Sequence, residues 1–391
     1  MMPNSIPKCL KVAHVIPELN LNITGGVGVF LQTLTSCLDR DRVENVIVTY
    51  KSDQSDRNFF QDLSIPVFSR LLTADEEIEP SIQVMEWLME TFQTISPDVV
   101  HTNLFWGDTL GRQAADRVKV PVIVTTENNR DLHENSRQQR IKRKLANLTD
   151  CIICVSEGVK QHLREVDGVP DELMMTIYNG IILEKYPFDC REPESQSPLF
   201  VSVGRLEPQK VPLRLIEAFS VIAAEYSDCQ LSIIGDGSLM KNCCDSVAAF
   251  GLTQRVQFWG YQPQPWRTTP PGSIFVMTSD YEGHPLVVLE AMATGHLCII
   301  PDIPGIPEMA EAGVEALIYK AGDRSSLLAA MGSALEMPSA QRQQIIKAAR
   351  ARVEIDFDAY KMAEKYLHLY QKLYAEKEMR VIKRQLLASN S

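Results

Sequence analysis

No apolar run in this chain approaches the roughly 18 residues of a membrane span, which argues against a predicted transmembrane helix. The first residues, MMPNSIPKCLKVAHVIPEL, lack a signal-peptide core. Their apolar stretch is short, is broken by Lys11 and His14, and reads as a first strand. Positive charge is scarce: 39 Lys and Arg stand against 50 Asp and Glu, for a formal charge of −11 and a pI near 5.3. A nucleic-acid binder normally carries a basic footprint, so that class is disfavoured. Cysteine is sparse, nine in 391 residues. Without a secretion signal, such usage implies reduced thiols and a cytoplasmic address. Cys151-x-x-Cys154 lies inside an apolar strand pattern with no second pair at zinc spacing, so two core thiols are the better reading than a metal or redox site. Low-complexity tracts and fixed-period repeats are missing as well. What remains is an ordinary globular composition, 45% hydrophobic and 23% charged, in a chain long enough for two domains.

Strand and helix patterns alternate in two blocks. The first has strands near 10–16, 45–50, 98–101, 121–126 and 151–155, with helical patterns such as VFLQTLTSCL and SIQVMEWLMETFQTI between them. DCREPESQSP, at 189–198, has the proline and charge content of a linker. A second block has strands near 199–203, 230–234, 255–258, 273–277 and 297–300. Alternation of this kind predicts two doubly wound parallel sheets, whose ligands sit at the carboxyl ends of strands. Two such Rossmann-like domains, 1–188 and 199–355, would face a central cleft.

The most informative run is YEGHPLVVLEAMATG, in which Glu282 and Glu290 stand eight positions apart. Gly283 and Pro285 disfavour helix, so Glu282 is expected on a loop, while LVVLEAMA places Glu290 about one turn inside a helix. Both carboxylates would then address a ligand at the helix N-terminus, where backbone N–H groups favour an anion and the carboxylates suit sugar hydroxyls. A second anion site follows from LFVSVGRLEPQK: strand, Gly204, Arg205, Lys210, then the helical VPLRLIEAF. Arginine forks onto two phosphate oxygens and lysine acts as a point charge. A strand-turn of Gly-Asp-Gly at 235–237 completes the set.

Together these residues resemble the retaining, nucleotide-sugar-dependent glycosyltransferases of family 4, of GT-B architecture. The likeness runs in order through Gly25-Gly26, DVVHTNLFWGD, CIICVSEGVKQHL, IYNGIILEKY, VGRLEPQK, IIGDGS, VQFWGY, the Glu-x7-Glu run and PGIPEMAE. It implies that Arg205 and Lys210 stabilise the leaving diphosphate and that Glu282 contacts the donor sugar and supports positive charge at the anomeric centre. Glu290 would accept the ribose hydroxyls. Backbone N–H groups around Gly283, His284, Leu286 and Val287 would touch sugar and phosphates, and the Gly25-Gly26 loop would approach the diphosphate. Trp259 would border the base, against the plain alternative of a core aromatic. His101, ending the apolar DVVH run, would meet the donor or the acceptor hydroxyl, against the plain alternative of a hydrogen-bonded structural histidine. The same resemblance implies a UDP- or GDP-linked donor, no cofactor and no metal. The final segment, 356–391, would be a helix crossing back to the first domain.

Departures from the pattern are specific. Val211 follows Lys210 where relatives carry glycine, Asn103 replaces a second histidine, Ile182 and Pro304 stand at usual acidic and glycine positions, and a proline-rich QPQPWRTTPPGS replaces a helix. Asp356-Phe357-Asp358 spells the metal-binding Asp-x-Asp of another glycosyltransferase class, but ahead of a helix it reads as capping. A basic run, Arg137, Arg140, Lys142, Arg143 and Lys144, offers either a solvated helix face or a contact to the anionic inner face of a membrane. The acceptor is a glycan, lipid-linked or small-molecule hydroxyl. The rivals are a non-catalytic nucleotide-sugar-binding subunit, a sugar-nucleotide epimerase of related fold, and a phosphorylase, for whose lysine-bound pyridoxal there is no signal.

Overall fold

The computed structural model describes residues 9–19, 25–52, 54–70, 82–130, 132, 135–191 and 197–389. They form two compact units, residues 1–179 with 359–391 and residues 180–358. The chain therefore changes unit at Asn179–Gly180, upstream of the expected 189–198 linker. Asp189 already belongs to the second unit, its N–H donating to the Thr294 carbonyl at 3.2 Å. Residues 192–196 of that linker lie outside the described residues.

The first unit holds a seven-stranded sheet in the order β3-β2-β1-β4-β5-β6-β7. Its strands are β1 (Leu10–Leu19), β2 (Val43–Ser52), β3 (Val67–Ser69), β4 (Val99–Asn103), β5 (Val122–Glu127), β6 (Cys151–Cys154) and β7 (Met174–Thr176). All pairings are parallel. Helices cover both faces, and every residue of β4 and β5 is buried, the polar His101, Thr102, Asn103, Thr125, Thr126 and Glu127 included. One face packs on the helices Ile82–Ile95 and Phe105–Arg117. The other packs on Gly26–Cys37 and on the chain's last helix, Ala359–Ser389, through Met362, Tyr366, Leu367 and Tyr370.

The second unit holds a six-stranded parallel sheet in the order β10-β9-β8-β11-β12-β13. Its strands are β8 (Leu199–Val203), β9 (Gln230–Ile234), β10 (Val256–Phe258), β11 (Ile274–Val276), β12 (Leu297–Asp302) and β13 (Leu317–Lys320). In both units the strand order reverses beside the first strand, which makes the carboxyl ends of β1 with β4 and of β8 with β11 the switch points where such sheets bind ligands. All nine cysteines are free thiols. Burial of Cys151 raises its pKa to about 11, which fits a core thiol.

Asp356 closes the helix Ser339–Asp356, where it pairs with Arg352 at 3.0 Å, while Asp358 bridges to Ile181. The Asp-x-Asp run is thus divided between a helix end and a backbone bridge. Among the described residues no helix is long and apolar enough to cross a membrane, and no cluster of three or more His, Cys, Asp or Glu could hold a metal.

Candidate functional site

In the second unit, two turns beyond β8 and β9 close on each other through backbone. Gly204 N–H donates to Ile234 O (3.0 Å), and Leu206 N–H to Asp236 O (2.8 Å). A Cβ at Gly235 would stand 1.9 Å from the Gly204 carbonyl, so the glycine is required by close approach. Glu207 accepts from the Ser238 N–H and hydroxyl, and those bonds hold its carboxyl below the usual range. Arg205 is exposed on this platform.

The chain then makes a single 3-10 turn, Pro208–Lys210, and enters the helix Pro212–Glu225 through Val211. This turn is laced to the loop after β11. Asp280 N–H donates to Gln209 O (3.0 Å) and Thr278 Oγ1 to Lys210 O (3.0 Å). Arg214 pairs with Asp280 at 2.7 Å and donates to Thr278 O. The loop carries Glu282, as its sequence predicts, and the carboxylate meets Lys210: Nζ lies 2.5 Å from Oε1. Gln209 Nε2 reaches Tyr281 O (2.8 Å) and Glu282 Oε2 (3.4 Å). Two residues 72 positions apart are thereby joined, and the ammonium keeps two further donors for a ligand.

The helix Leu286–Thr294 starts where the pattern predicts, with Pro285 at its N-cap and no side chain capping the first-turn N–H groups. Backbone donors of Leu286 and Val287 thus lie at an uncapped N-terminus, a setting suited to an anion. His284 is buried, its ring 5.2 Å from that of Phe357, and burial lowers its pKa to about 3, leaving it neutral at physiological pH. Glu290 is partly buried one turn into the helix. Tyr186 Oη donates to its Oε1 at 2.8 Å and Trp266 Nε1 to its Oε2 at 2.8 Å. Trp259 lies just beyond β10, half exposed, its indole N–H on Ser232 Oγ at 3.2 Å.

Four residues of this cluster escape the sequence reading: Gln209, Arg214, Tyr186 and Trp266. Their type and local spacing are unremarkable. Tyr186 and Trp266 are 104 and 24 positions from the carboxylate they bind, so no periodic signal marks them.

In the first unit, Gly25 has φ 52° and ψ −123°, a conformation closed to residues with a Cβ, and Gly26 opens the helix Gly26–Cys37. A Cβ on Gly26 would meet nothing within 4 Å. His101 does not fulfil the expectation of a ligand contact. It is fully buried, with Nε2 on Thr126 Oγ1 (2.7 Å) and Nδ1 on the Tyr370 hydroxyl (2.8 Å). With both ring nitrogens engaged by the fold, and its pKa driven down by burial, it is a neutral structural histidine.

The basic run is also divided. Arg137, Arg140, Arg143 and Lys144 are exposed on the helix Ser136–Ala146, but Lys142 is buried. Its Nζ lies 3.2 Å from Glu127 Oε2 and 3.9 Å from Asp167 Oδ2. Lys142 is therefore not available to an external surface.

Two family descriptions match the chain: Glycosyltransferase Family 4 over residues 24–185 and Glycosyl transferases group 1 over residues 189–352. A lipopolysaccharide 1,6-galactosyltransferase of Salmonella typhimurium is 31% identical over 181 residues, 44% of this chain and 49% of that protein. The chain thus matches about half the length of that relative. An Escherichia coli UDP-Gal:alpha-D-GlcNAc-diphosphoundecaprenol alpha-1,3-galactosyltransferase is 27% identical over 347 residues, 82% of this chain and 87% of that one. In the crystal structure of Anabaena HepE with UDP and glucose, the likeness covers 93% of this chain and all of that one, at a TM-score of 0.77 and 19% identity. Two Rossmann-like parallel sheets, matched in turn by the two halves of one family's pattern, identify the chain as a member of the family 4 glycosyltransferases of GT-B fold.

Proposed function

We propose that the chain transfers a hexose, with retention and without a metal ion, from a UDP- or GDP-linked donor to a hydroxyl of a glycan, lipid-linked or small-molecule acceptor. The observation that carries this reading is the Lys210–Glu282 pair held beside the uncapped N-terminus of the helix Leu286–Thr294. The names of the relatives support it, since one acts from UDP-Gal on a diphosphoundecaprenol-linked sugar and forms an alpha-1,3 bond.

The chemistry follows from charge. As the glycosidic bond breaks, the leaving diphosphate gains negative charge. Arg205, Lys210 and the first-turn N–H groups stabilise that charge. At about 4 Å and an effective dielectric near 20, each cation contributes about 4 kcal/mol before desolvation. Only the part that grows as the bond breaks accelerates the step. Glu282 accepts a donor-sugar hydroxyl and supports the oxocarbenium-like centre, while Glu290 takes the ribose. With these groups gathered on the leaving-group side, the acceptor attacks from that same face, and the departing phosphate draws its proton. The exposed Arg137, Arg140, Arg143 and Lys144 supply a contact to an anionic membrane surface, where a lipid-linked acceptor would be met.

The test is transfer from a panel of UDP-, GDP- and ADP-sugars, with NMR of the initial product in the presence of a chelator. An α-linked product from an α-linked donor, formed under chelation, is expected. A β-linked product overturns retention, and activity abolished by the chelator overturns metal independence. Tight donor binding with neither transfer nor donor hydrolysis would favour the non-catalytic subunit instead.

A further inference from the structure

The partly buried Glu290 carboxylate is held by one neutral donor on each oxygen. Tyr186 Oη reaches Oε1 and Trp266 Nε1 reaches Oε2, both at 2.8 Å. An ionised carboxylate offers about four acceptor sites, so two remain. Because an indole N–H only donates and neither donor carries charge, the carboxylate keeps its full negative charge for whatever it accepts next. Hydrogen bonds to an ionised acceptor are about twice as strong as neutral ones.

The donors are themselves fixed. Trp266, only 7% exposed, sets its ring against Phe275 (5.5 Å) and His296 (5.2 Å). The Tyr186 carbonyl accepts from Arg350 Nη1 at 2.9 Å, and that same nitrogen donates to Ala293 O at 2.8 Å, three residues beyond Glu290 on its own helix. The Tyr186 segment is also seated tightly on the end of this helix: a Cβ at Gly295 would stand 2.5 Å from the Asp189 carbonyl. Burial pushes the Glu290 carboxyl up, and the bonds from Trp266 and Tyr186 pull it back toward the ionised form.

We propose that Tyr186 and Trp266 are positioning residues that lock the Glu290 carboxylate in the orientation in which its remaining acceptor sites meet the ribose 2′- and 3′-hydroxyls of the bound nucleotide. This rests on the assignment of Glu290 to the ribose made above. It also gives a purpose to the proline-rich QPQPWRTTPPGS segment, which carries Trp266 on the short helical turn Pro265–Thr268.

Titration calorimetry of wild type, Trp266→Phe and Tyr186→Phe tests this, with UDP and GDP and with the 2′,3′-dideoxy form of each. Both substitutions keep a ring and remove one donor, and Tyr186→Phe changes a single oxygen. Each variant is expected to bind the nucleotide that wild type takes up about tenfold more weakly. The dideoxy analogue, already weak on wild type, should show no further loss in the variants. In steady state the donor KM should rise at nearly unchanged kcat. An equal loss for the ribose and dideoxy forms would make the two residues merely structural, and unaltered affinity in both variants would mean they position nothing; either overturns the proposal while leaving Glu290 on the ribose. A wild type indifferent to the missing hydroxyls, or binding neither nucleotide, would instead overturn the ribose assignment itself and the proposal with it.

Discussion

Val211 stands at φ 45° and ψ 53°, the left-handed region, at the N-cap of the helix that follows Lys210. A β-branched residue there is sterically strained, at a cost of about 1–2 kcal/mol. The chain keeps the backbone geometry that glycine would adopt without strain, because that geometry hangs the Lys210 and Val211 carbonyls on Thr278 Oγ1, at 3.0 and 3.2 Å. Ala normally exceeds Gly in helices by about 1 kcal/mol, but at a left-handed position the order inverts. Val211→Gly is therefore expected to be more stable than Val211→Ala by about 1 kcal/mol in denaturant melts. The opposite order would mean that position 211 carries no left-handed constraint in solution.

At the scale of one element, the helix Ser136–Ala146 presents two unlike faces. Asn135 closes a capping box with Gln138, and Arg143 and Lys144 in the last turn complement the helix dipole. Lys142 turns inward to Glu127 and Asp167, joining a buried network in which Arg112 lies 3.3 Å from Asp108 and 4.0 Å from Glu127. Removing one partner of a buried pair leaves an uncompensated charge, a loss of about 3–5 kcal/mol. Lys142→Ala should lower the unfolding free energy by that amount, while Lys144→Ala, two positions on and exposed, should stay within about 0.5 kcal/mol of wild type. Chemical denaturation of both variants decides, and equal small losses would place Lys142 at the surface. Neighbouring basic residues on one short helix thus serve folding and surface charge separately.

Over the whole molecule the charge is −11, so attraction to an anionic membrane has to come from a local patch. Four exposed cations, Arg137, Arg140, Arg143 and Lys144, are worth about 1 kcal/mol each beside such a surface and are screened beyond a Debye length. Vesicles containing phosphatidylserine should sediment the wild type at low salt, release it at about 0.5 M salt, and fail to retain Arg137→Glu/Arg140→Glu/Lys144→Glu. Equal sedimentation of wild type and the triple variant would remove this patch from any membrane role.

The alternating plan, ten of the thirteen strands among the described residues and the loop-then-helix placement of Glu282 and Glu290 were all legible in the amino-acid sequence. Parallel strands buried on both faces open on apolar runs such as Val99–Val100 and Val122–Val124, while glycine and proline punctuate locally. The three missed strands, Val67–Ser69, Met174–Thr176 and Leu317–Lys320, are three or four residues long and each lies at a sheet edge. Side-chain partnerships were decided by tertiary structure alone. His101 and Lys142 had the residue type and position of ligand-facing groups. They became internal because Tyr370 lies 269 residues from His101 along the chain, and because Glu127 and Asp167 flank Lys142 from other elements. Likewise Tyr186 and Trp266 meet at Glu290 only once three separate segments are packed. Local pattern reports which face of an element is buried; which polar group waits there to receive a buried charge depends on contacts between distant parts of the chain.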